Sequence, residues 1–414
     1  MEYKNALQKD EIYYYPNESF NTIIIRLNFL ADNDNNKAPI YDLLCDFIER
    51  SNQQYQVDDE IEEKRQNAYN LRLNFNSNYF GNQKIVSLFV NMVAPNVIHD
   101  DYSKEAFEFI RDIVKKPDFT NQEMLDLIKR EYLSEVRLNL SKHSNYVYCM
   151  YNRMVLPDEN REFDDAYDID YITKMIQSVT LEDLERIYHE IMNHFYNGLV
   201  FGNISEEQFH SFTDCISLTP KKQDTYYYRN ISSVEGDIEI EKDMKQSNIY
   251  VTYDMERLSY SQLLILHYIL NSSFVGLCFK ILREKYGLVY HAQANISYFD
   301  DKLYIQAEVD KNKKEKFLHA LDEIICDLNN PKLLEEYVAR AKEEYFMNDY
   351  TFDENANQIV NSINAYLLGC QEHLDKNEID NEIRNLNSDD LLQKVKTLKR
   401  KNVFMVRGVN DESV

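Results

Sequence analysis

Short segments of alternating hydrophobic and polar residues, or of a brief apolar run, occur in both halves of the chain and predict β-strands. They comprise residues 23–29, 71–75 and 84–93 in the first half, and 249–253, 288–299 and 303–309 in the second. Turn residues separate the last two segments of each half, so each of these pairs predicts a hairpin.

Part of this pattern is repeated, which predicts an internal duplication with a period of about 200 residues. Each half ends in a helix that leads into a strand and a glycine. The spacing is 18 residues from Leu184 to Gly202 and 17 residues from Leu391 to Gly408. The first of these helices is predicted to start at Thr180, which has the hydroxyl of a good N-cap.

Strands and helices occur in blocks rather than in strict alternation, which is typical of the α+β class. We therefore predict two homologous domains, each a mostly antiparallel sheet with helices packed on one face. The polar and charged residues 219–242 predict a linker. It would join an N-terminal domain over residues 1–218 to a C-terminal domain over residues 243–414.

The charge of the chain excludes two classes of partner. The 414 residues include 71 Asp and Glu against 46 Lys and Arg, a formal net charge of −25. Nucleic acid and anionic membrane surfaces are bound through Lys and Arg, so neither is expected as a partner. The acidic excess either serves solubility or favours basic peptides as ligands. The longest apolar stretch, residues 263–270, is too short to cross a bilayer.

The six cysteines indicate a reducing compartment. They lie far apart, form no CxxC pair, and in several cases sit in apolar runs, as Cys326 does after Ile324 and Ile325. This distribution predicts buried free thiols. The first residues lack the basic start and hydrophobic core of a signal peptide, so we expect a cytoplasmic protein.

The segment that says most about chemistry runs from Ile281 to Tyr290 and reads Ile-Leu-Arg-Glu-Lys-Tyr-Gly-Leu-Val-Tyr. It closely resembles the second-domain motif of the pitrilysin/insulinase-type zinc peptidases, which include the mitochondrial processing peptidase. The usual form of that motif is Leu-Arg-Glu-Lys-x-Gly-Leu-x-Tyr. In that family the Arg and the Tyr reach into the active site, and the resemblance assigns these roles to Arg283 and Tyr290.

Both residues also have a structural interpretation. Arg283 lies in the last turn of a predicted helix, where a basic residue interacts favourably with the helix dipole. Tyr290 shares the apolar face of a predicted strand with Ala292 and Ala294, where a core tyrosine is expected.

The resemblance also implies an HxxEH zinc motif on a helix after the first strand, with two His ligands and a Glu as general base. No histidine precedes His99. The positions that correspond best are Tyr41, Leu44 and Cys45, and Glu135 lies near the place of a third ligand. These residues do not make a zinc site, so we expect this chain to bind no metal or other cofactor.

A second segment looks like a zinc motif but has one residue too many. His189, Glu190 and His194 resemble HExxH with the histidines five residues apart. A residue at i+5 lies about 140° around a helix from the first. Both imidazoles therefore cannot reach one ion, and we predict a helix C-terminus here.

Two functional hypotheses follow. In two-chain bacterial members of the family, one chain carries HxxEH and its partner carries the Arg–Tyr pair. By this resemblance the chain is the non-catalytic subunit of a heterodimeric metalloendopeptidase, inactive alone, with zinc in the HxxEH partner. Arg283 would hold a substrate carbonyl and Tyr290 would donate a hydrogen bond to the oxyanion. Substrates would be short or unfolded peptides, such as leader peptides of modified peptides, and would add as a strand to a sheet edge.

The alternative hypothesis is that the chain is a catalytically inert scaffold or binding protein on the same fold.

Overall fold

The computed structural model describes residues 7–32, 38–55, 58–156, 169–222, 227, 233–272, 276–348, 355–370 and 376–409. The chain forms two compact units, and neither is contiguous in sequence. Unit 1 contains residues 1–138, 168–227 and 353–375, and unit 2 contains residues 139–167, 228–352 and 376–414. The predicted domains were residues 1–218 and 243–414. Residues 139–167 of the first half instead belong to unit 2, and residues 353–375 of the second half belong to unit 1.

Unit 1 is built on a six-stranded sheet with the order β1-β2-β6-β3-β5-β4. Its strands are β1 (Leu7–Lys9), β2 (Ile12–Pro16), β3 (Thr22–Ala31), β4 (Arg72–Phe80), β5 (Gln83–Val93) and β6 (Phe195–Gly202). All neighbours are antiparallel except β2 and β6. The predicted hairpin of the first half is β4–β5.

Unit 2 is built on a five-stranded sheet with the order β7-β11-β8-β10-β9. Its strands are β7 (Gly236–Lys242), β8 (Ser247–Asp254), β9 (Val289–Ser297), β10 (Lys302–Val309) and β11 (Lys399–Gly408). Here β7 and β11 are parallel and the other neighbours are antiparallel. Strand β7 lies inside the predicted linker and forms one edge of this sheet.

Helices account for most of the remaining described residues. They are α1 (Ala38–Arg50), α2 (Asp58–Asn67), α3 (Pro95–Ile98), α4 (Ser103–Lys115), α5 (Gln122–Ser141), α6 (His143–Val155), α7 (Ile169–Ser178), α8 (Leu181–Met192), α9 (Glu206–Ile216), α10 (Tyr260–Asn271), a π-helix (Cys278–Lys285), α11 (Lys314–Leu328), α12 (Pro331–Asn348), α13 (Ala356–Leu367), α14 (Lys376–Asn385) and α15 (Ser388–Val395). Thr180 caps α8 through a capping box with Asp183, as its hydroxyl predicts. No helix among the described residues is long and apolar enough to cross a bilayer.

The two sheets have equivalent strands in the same order, which confirms the predicted pair of homologous α+β domains. One row of paired residues across the unit 1 sheet contains Gly198, Leu27, Leu88 and Phe75. The equivalent row of unit 2 contains Val403, Val251, Ile305 and Ala294. Strand β1 has no counterpart in the order of the second sheet.

The repeated glycines, Gly202 and Gly408, end equivalent strands where a neighbouring backbone comes too close for a side chain. A Cβ on Gly202 would lie 2.1 Å from the carbonyl oxygen of Thr22, and one on Gly408 would lie 2.4 Å from that of Met244. Both distances are far below van der Waals contact, so close strand packing explains the repetition of glycine here.

In unit 2, one helix covers the sheet face opposite the main helical layer. Residues 249 and 251 of β8 face the core formed with α10, α11, α12 and α15. Tyr250 points the other way, because side chains alternate along a strand. It stacks on Tyr151 of α6 with 5.2 Å between ring centroids, and the Tyr151 hydroxyl lies 2.7 Å from the hydroxyl of Thr252. Helix α6 comes from the first half of the chain.

In unit 1, the second face of the sheet receives α13 from the second half of the chain, through polar contacts. Asn28 of β3 is fully buried, and its amide group donates to Asn197 at 2.8 Å and to Asn364 of α13 at 2.7 Å. The Ser87 hydroxyl donates to the side-chain Oδ1 of Asn28 at 2.8 Å. The exchange of helices is thus reciprocal, with an aromatic contact in unit 2 and an amide network in unit 1.

Candidate functional site

Arg283 lies on the π-helix Cys278–Lys285 of unit 2. The wider helical turn is set by the bond from the Tyr286 amide to the Ile281 carbonyl, five residues back, at 3.2 Å. Single π-helical turns inside proteins are frequent at functional sites. The Arg283 side chain is exposed and its guanidinium lies 5.2 Å from the centre of the Phe279 ring. Among the described residues, no carboxylate forms an ion pair with it.

The turn after Arg283 is held in place at both ends. Gly287 ends the π-helix in a left-handed conformation, with φ of +57°, and its amide donates to the Arg283 carbonyl at 3.0 Å. Glu323 of α11 forms an ion pair with Lys285 and accepts a 2.7 Å hydrogen bond from the Tyr286 hydroxyl. Glu323 is therefore engaged by Lys285 and Tyr286, whereas the guanidinium of Arg283 forms no ion pair among the described residues and is available to a ligand.

The main chain of Tyr290 lies in a β-bulge of β9. Ala292 pairs with Ala307 and Val289 pairs with Val309, so two residues of β9 face only Glu308 of β10. The extra residue breaks the period-two alternation, which therefore cannot be extended from Ala292 back to Tyr290. The prediction that Tyr290 shares the apolar face depended on that alternation. The Tyr290 side chain itself lies outside what the structure describes.

Arg283 borders a pocket of about 220 Å³ formed by the end of α10, the π-helix and the start of β9. Its lining is apolar at Leu270, Phe279 and Val289, and basic at Arg283 and His291. His291 follows Tyr290 directly and is exposed. Sequence reasoning missed His291, since it lies just outside the motif and a lone histidine has no spacing that marks it.

Side chains of equivalent helices close the edges of both sheets at the same register. Asn271 of α10 accepts from the Ala294 amide at 2.9 Å and donates to the Ala294 carbonyl at 2.7 Å, on edge strand β9. Glu49 of α1 accepts from the amide of Phe75 on edge strand β4. Edge strands expose unpaired backbone groups, and these caps satisfy some of them. A peptide strand could not pair across Ala294 without displacing Asn271.

The positions that correspond to the zinc motif lie in the core of unit 1. Tyr41, Leu44 and Cys45 are all buried, at 1%, 1% and 3% exposure. Burial raises the pKa of the Cys45 thiol well above its ordinary value, which disfavours the thiolate that a metal requires. The exposed face of α1 carries Asp46 instead, and Glu135 lies exposed on α5. Among the described residues, no three His, Cys, Asp or Glu side chains converge to hold a metal ion, so the residues do not fit zinc.

The histidines of the HExxH-like segment do not form a metal pair either. Helix α8 ends at Met192, before His194. The Nδ1 of His194 lies 2.6 Å from the Glu190 carbonyl and its Nε2 lies 2.6 Å from the Lys221 ammonium. Both ring nitrogens are therefore already engaged. His194 also borders a pocket of about 360 Å³ in unit 1, next to Tyr41 and Asp32.

All six cysteines are free, but two of them are not buried as predicted. Cys45, Cys149, Cys278 and Cys370 are buried and Cys215 is half-buried, but Cys326 is exposed. Cys326 follows two isoleucines on α11, and the turn of the helix brings it to the outer face while Ile324 stays in the core.

The segment that contains Arg283 and Tyr290 lies within a match to a known protein family. Residues 178–345, which include Arg283 and Tyr290, match the family model described as the peptidase M16 inactive domain. The predicted family resemblance is confirmed. M16 is the family of pitrilysin and insulinase, and the match supports a non-catalytic M16-like chain. Among curated proteins, no sequence matches the chain significantly.

Solved structures share the fold over the whole chain at low sequence identity. A conserved protein from Enterococcus faecalis V583 matches with a TM-score of 0.83 and 16% identity, over 97% of each chain. A peptidase M16 inactive domain from Pseudomonas fluorescens matches with a TM-score of 0.76 and 14% identity, over 99% of each chain. The periplasmic protease PqqL from Escherichia coli matches with a TM-score of 0.70 and 10% identity, over 97% of this chain and 45% of that one. These likenesses show the M16-like two-domain fold.

The cap on β4 predicts a measurable pH dependence of stability. Burial raises the pKa of Glu49 from 4.5 to about 7, against the opposing effects of the Phe75 amide and Arg65. A carboxyl whose pKa is raised on folding favours the folded state at low pH, and this contribution is lost as pH rises from about 4.5 to about 7. We expect the free energy of unfolding to fall by about 2–3 kcal/mol over this window.

Glu49→Gln should remove this fall, because the amide oxygen can still accept from Phe75 but does not ionise. Urea unfolding of both proteins between pH 4.5 and 8 measures the difference. Glu62→Gln is the matched control, since the Glu62 carboxylate is 57% exposed on the neighbouring helix. Parallel pH profiles for Glu49→Gln and the unsubstituted protein would show that Glu49 is not the titrating group.

Proposed function

We propose that this chain is the non-catalytic subunit of a two-chain M16 metallopeptidase and lends Arg283 and Tyr290 to the active site of an HxxEH-bearing partner. The observation that carries the proposal is the state of Arg283. It is an exposed cation that lines a pocket and forms no ion pair among the described residues. It lies within the residues that match the family model, in the segment that resembles the Arg–Tyr motif.

The absence of a fitting metal site in the described residues supports a two-chain enzyme in which the partner supplies the metal. Residues at the zinc-motif positions are core side chains, so this chain would supply no metal and no metal-activated water. Zinc would be held by the partner, where it would provide the nucleophile.

The chemistry of Arg283 suits the role of a substrate clamp. A guanidinium presents five N–H donors in a fixed fork and keeps its charge at all physiological pH values. Hydrogen bonds from it to a carbonyl are strengthened as negative charge develops on the oxygen. The bulge in β9 supports the second role, since bulges beside active sites redirect side chains, and Tyr290 would donate its phenolic proton to the oxyanion.

The capped edge strands refine how the substrate would bind. Asn271 occupies the backbone groups of Ala294 on β9, so an extended peptide would not add to that register of this chain. We propose that strand addition takes place on the partner and that this chain contacts the peptide through side chains. Short or unfolded peptides, including leader peptides, would be the substrates. The free cysteines are consistent with a cytoplasmic complex.

Reconstitution tests the proposal. The purified chain alone should not cleave a fluorogenic peptide library, and addition of an HxxEH-bearing chain of similar length should give zinc-dependent cleavage. Tyr290→Phe should lower kcat without loss of the complex, because the phenyl ring remains but the hydrogen bond to the oxyanion is removed.

The scaffold hypothesis predicts a different result. If a complex forms and Tyr290→Phe has the kcat of the unsubstituted protein, the chain is a scaffold that supports its partner without contributing to the chemistry. If no HxxEH-bearing chain forms a complex with it, the heterodimer is wrong.

A further inference from the structure

The pocket beside Arg283 has a charge opposite to that of the chain as a whole. The net charge is −25, yet none of the described lining residues is acidic, and Arg283 and His291 are both basic. Neither side chain forms an ion pair within the described residues. Many other basic side chains of unit 2 are neutralised by carboxylates, for example Lys285 by Glu323, Lys302 by Asp254 and Lys401 by Glu235.

We propose that this pocket recognises a carboxylate of the bound peptide, and that His291 together with Arg283 determines this specificity. The inference rests on the proposed function, because it names a chemical feature of the peptide that the same site would hold. The guanidinium of Arg283 is a permanent cation at a concave surface, which favours an anionic group over a neutral one of the same shape. The His291 imidazole adds a hydrogen-bond donor beside it.

The size and the apolar lining of the pocket restrict the ligand further. About 220 Å³ is smaller than the pockets of drug-sized ligands and suits a single residue of a peptide. Leu270, Phe279 and Val289 would contact the aliphatic part of that residue, and Arg283 and His291 would contact its carboxylate. Either a glutamate side chain or the free C-terminus of a peptide provides this combination.

The position of His291 is fixed by contacts that do not use its imidazole. It lies in the bulge after Tyr290, and three residues further on Asn271 hydrogen-bonds the backbone of Ala294 to α10. The imidazole is exposed, so its replacement leaves the core of unit 2 intact. This makes His291→Gln a clean test, and His319→Gln is the matched control because His319 is an exposed histidine of the same unit outside the pocket.

Binding is measured on the full chain alone at low ionic strength, by NMR titration with three tetrapeptides whose N-termini are blocked. Two have a blocked C-terminus and carry either glutamate or glutamine at one internal position, and the third has the glutamine sequence with a free C-terminus. We expect a carboxylate peptide to bind about tenfold more tightly than the neutral one. This preference should be lost in His291→Gln and in Arg283→Gln, and retained in His319→Gln.

The peptide arms distinguish the source of the carboxylate. Preference for the glutamate peptide assigns a side-chain carboxylate, preference for the free C-terminus assigns a terminal one, and either result supports the proposal. Equal binding of all three peptides, no binding of any, or an unchanged preference in His291→Gln would overturn it.

The result is separable from the proposed peptidase role. Carboxylate preference by a chain that restores no activity to any HxxEH partner would retain this inference and reject that role. Suppose instead that activity is reconstituted, with equal kcat/KM for glutamate and glutamine substrates and no carboxylate preference in binding. The peptidase role would then be retained and the carboxylate site rejected.

Discussion

Arg283→Ala should lower kcat/KM of the reconstituted peptidase by about 100-fold or more, which corresponds to roughly 2.7 kcal/mol of transition-state stabilisation. The loss is large because a charge-assisted hydrogen bond to a developing oxyanion is stronger in the transition state than in the ground state. Arg283→Lys keeps the charge but not the planar fork, so an intermediate loss of about tenfold is expected. Initial rates of fluorogenic peptide cleavage, with the partner chain at saturating concentration, measure kcat/KM for both variants.

The control for this substitution is Lys280→Ala, which removes another cation from the same π-helix. It should change kcat/KM by no more than about twofold, because Lys280 does not line the pocket and a charge outside it has little effect at physiological salt. Complex formation by both variants is checked by sedimentation. A fully active complex with Arg283→Ala would contradict the proposed function and favour the scaffold.

Asn28→Ala should destabilise unit 1 by about 3–4 kcal/mol. The substitution leaves the buried acceptors of Asn197 and Asn364 and the hydroxyl of Ser87 without their partner, and it opens a cavity at a fully buried position. Each unsatisfied buried polar group costs about 1–3 kcal/mol, so the combined effect is among the largest that a single substitution produces. Urea unfolding measures the loss, and hydrogen exchange should show faster opening of α13.

Asn361→Ala provides the comparison on the same helix. Asn361 is exposed and accepts one hydrogen bond from Arg26 at 2.9 Å, so its removal should cost less than about 1 kcal/mol. If Asn28→Ala and Asn361→Ala destabilise the protein equally, the buried amide network does not hold α13 on the sheet.

Much of the fold was accessible from the sequence because its signals are local. Alternation of apolar and polar residues predicted β3, both hairpins and β8. The recurrence of a helix, a strand and a glycine predicted the duplication, since Gly202 and Gly408 are required where a neighbouring strand leaves no room for a Cβ. Thr180 marked the start of α8 through its own side chain. The Arg–Tyr motif was recognisable for the same reason, as it lies within ten consecutive residues.

Features that depend on residues far apart in sequence were decided by the tertiary structure. The exchange of α6 and α13 between the two halves of the chain is one of them, because pairings such as Asn28 with Asn364 leave no periodic signal in the sequence. The bulge at Tyr290 is another, since it arises from the register between β9 and β10. The pocket that joins His291 to Arg283 is formed by α10, the π-helix and β9 together. The sequence by itself determined the elements, their repetition and the motif, and only packing decided which side chains meet.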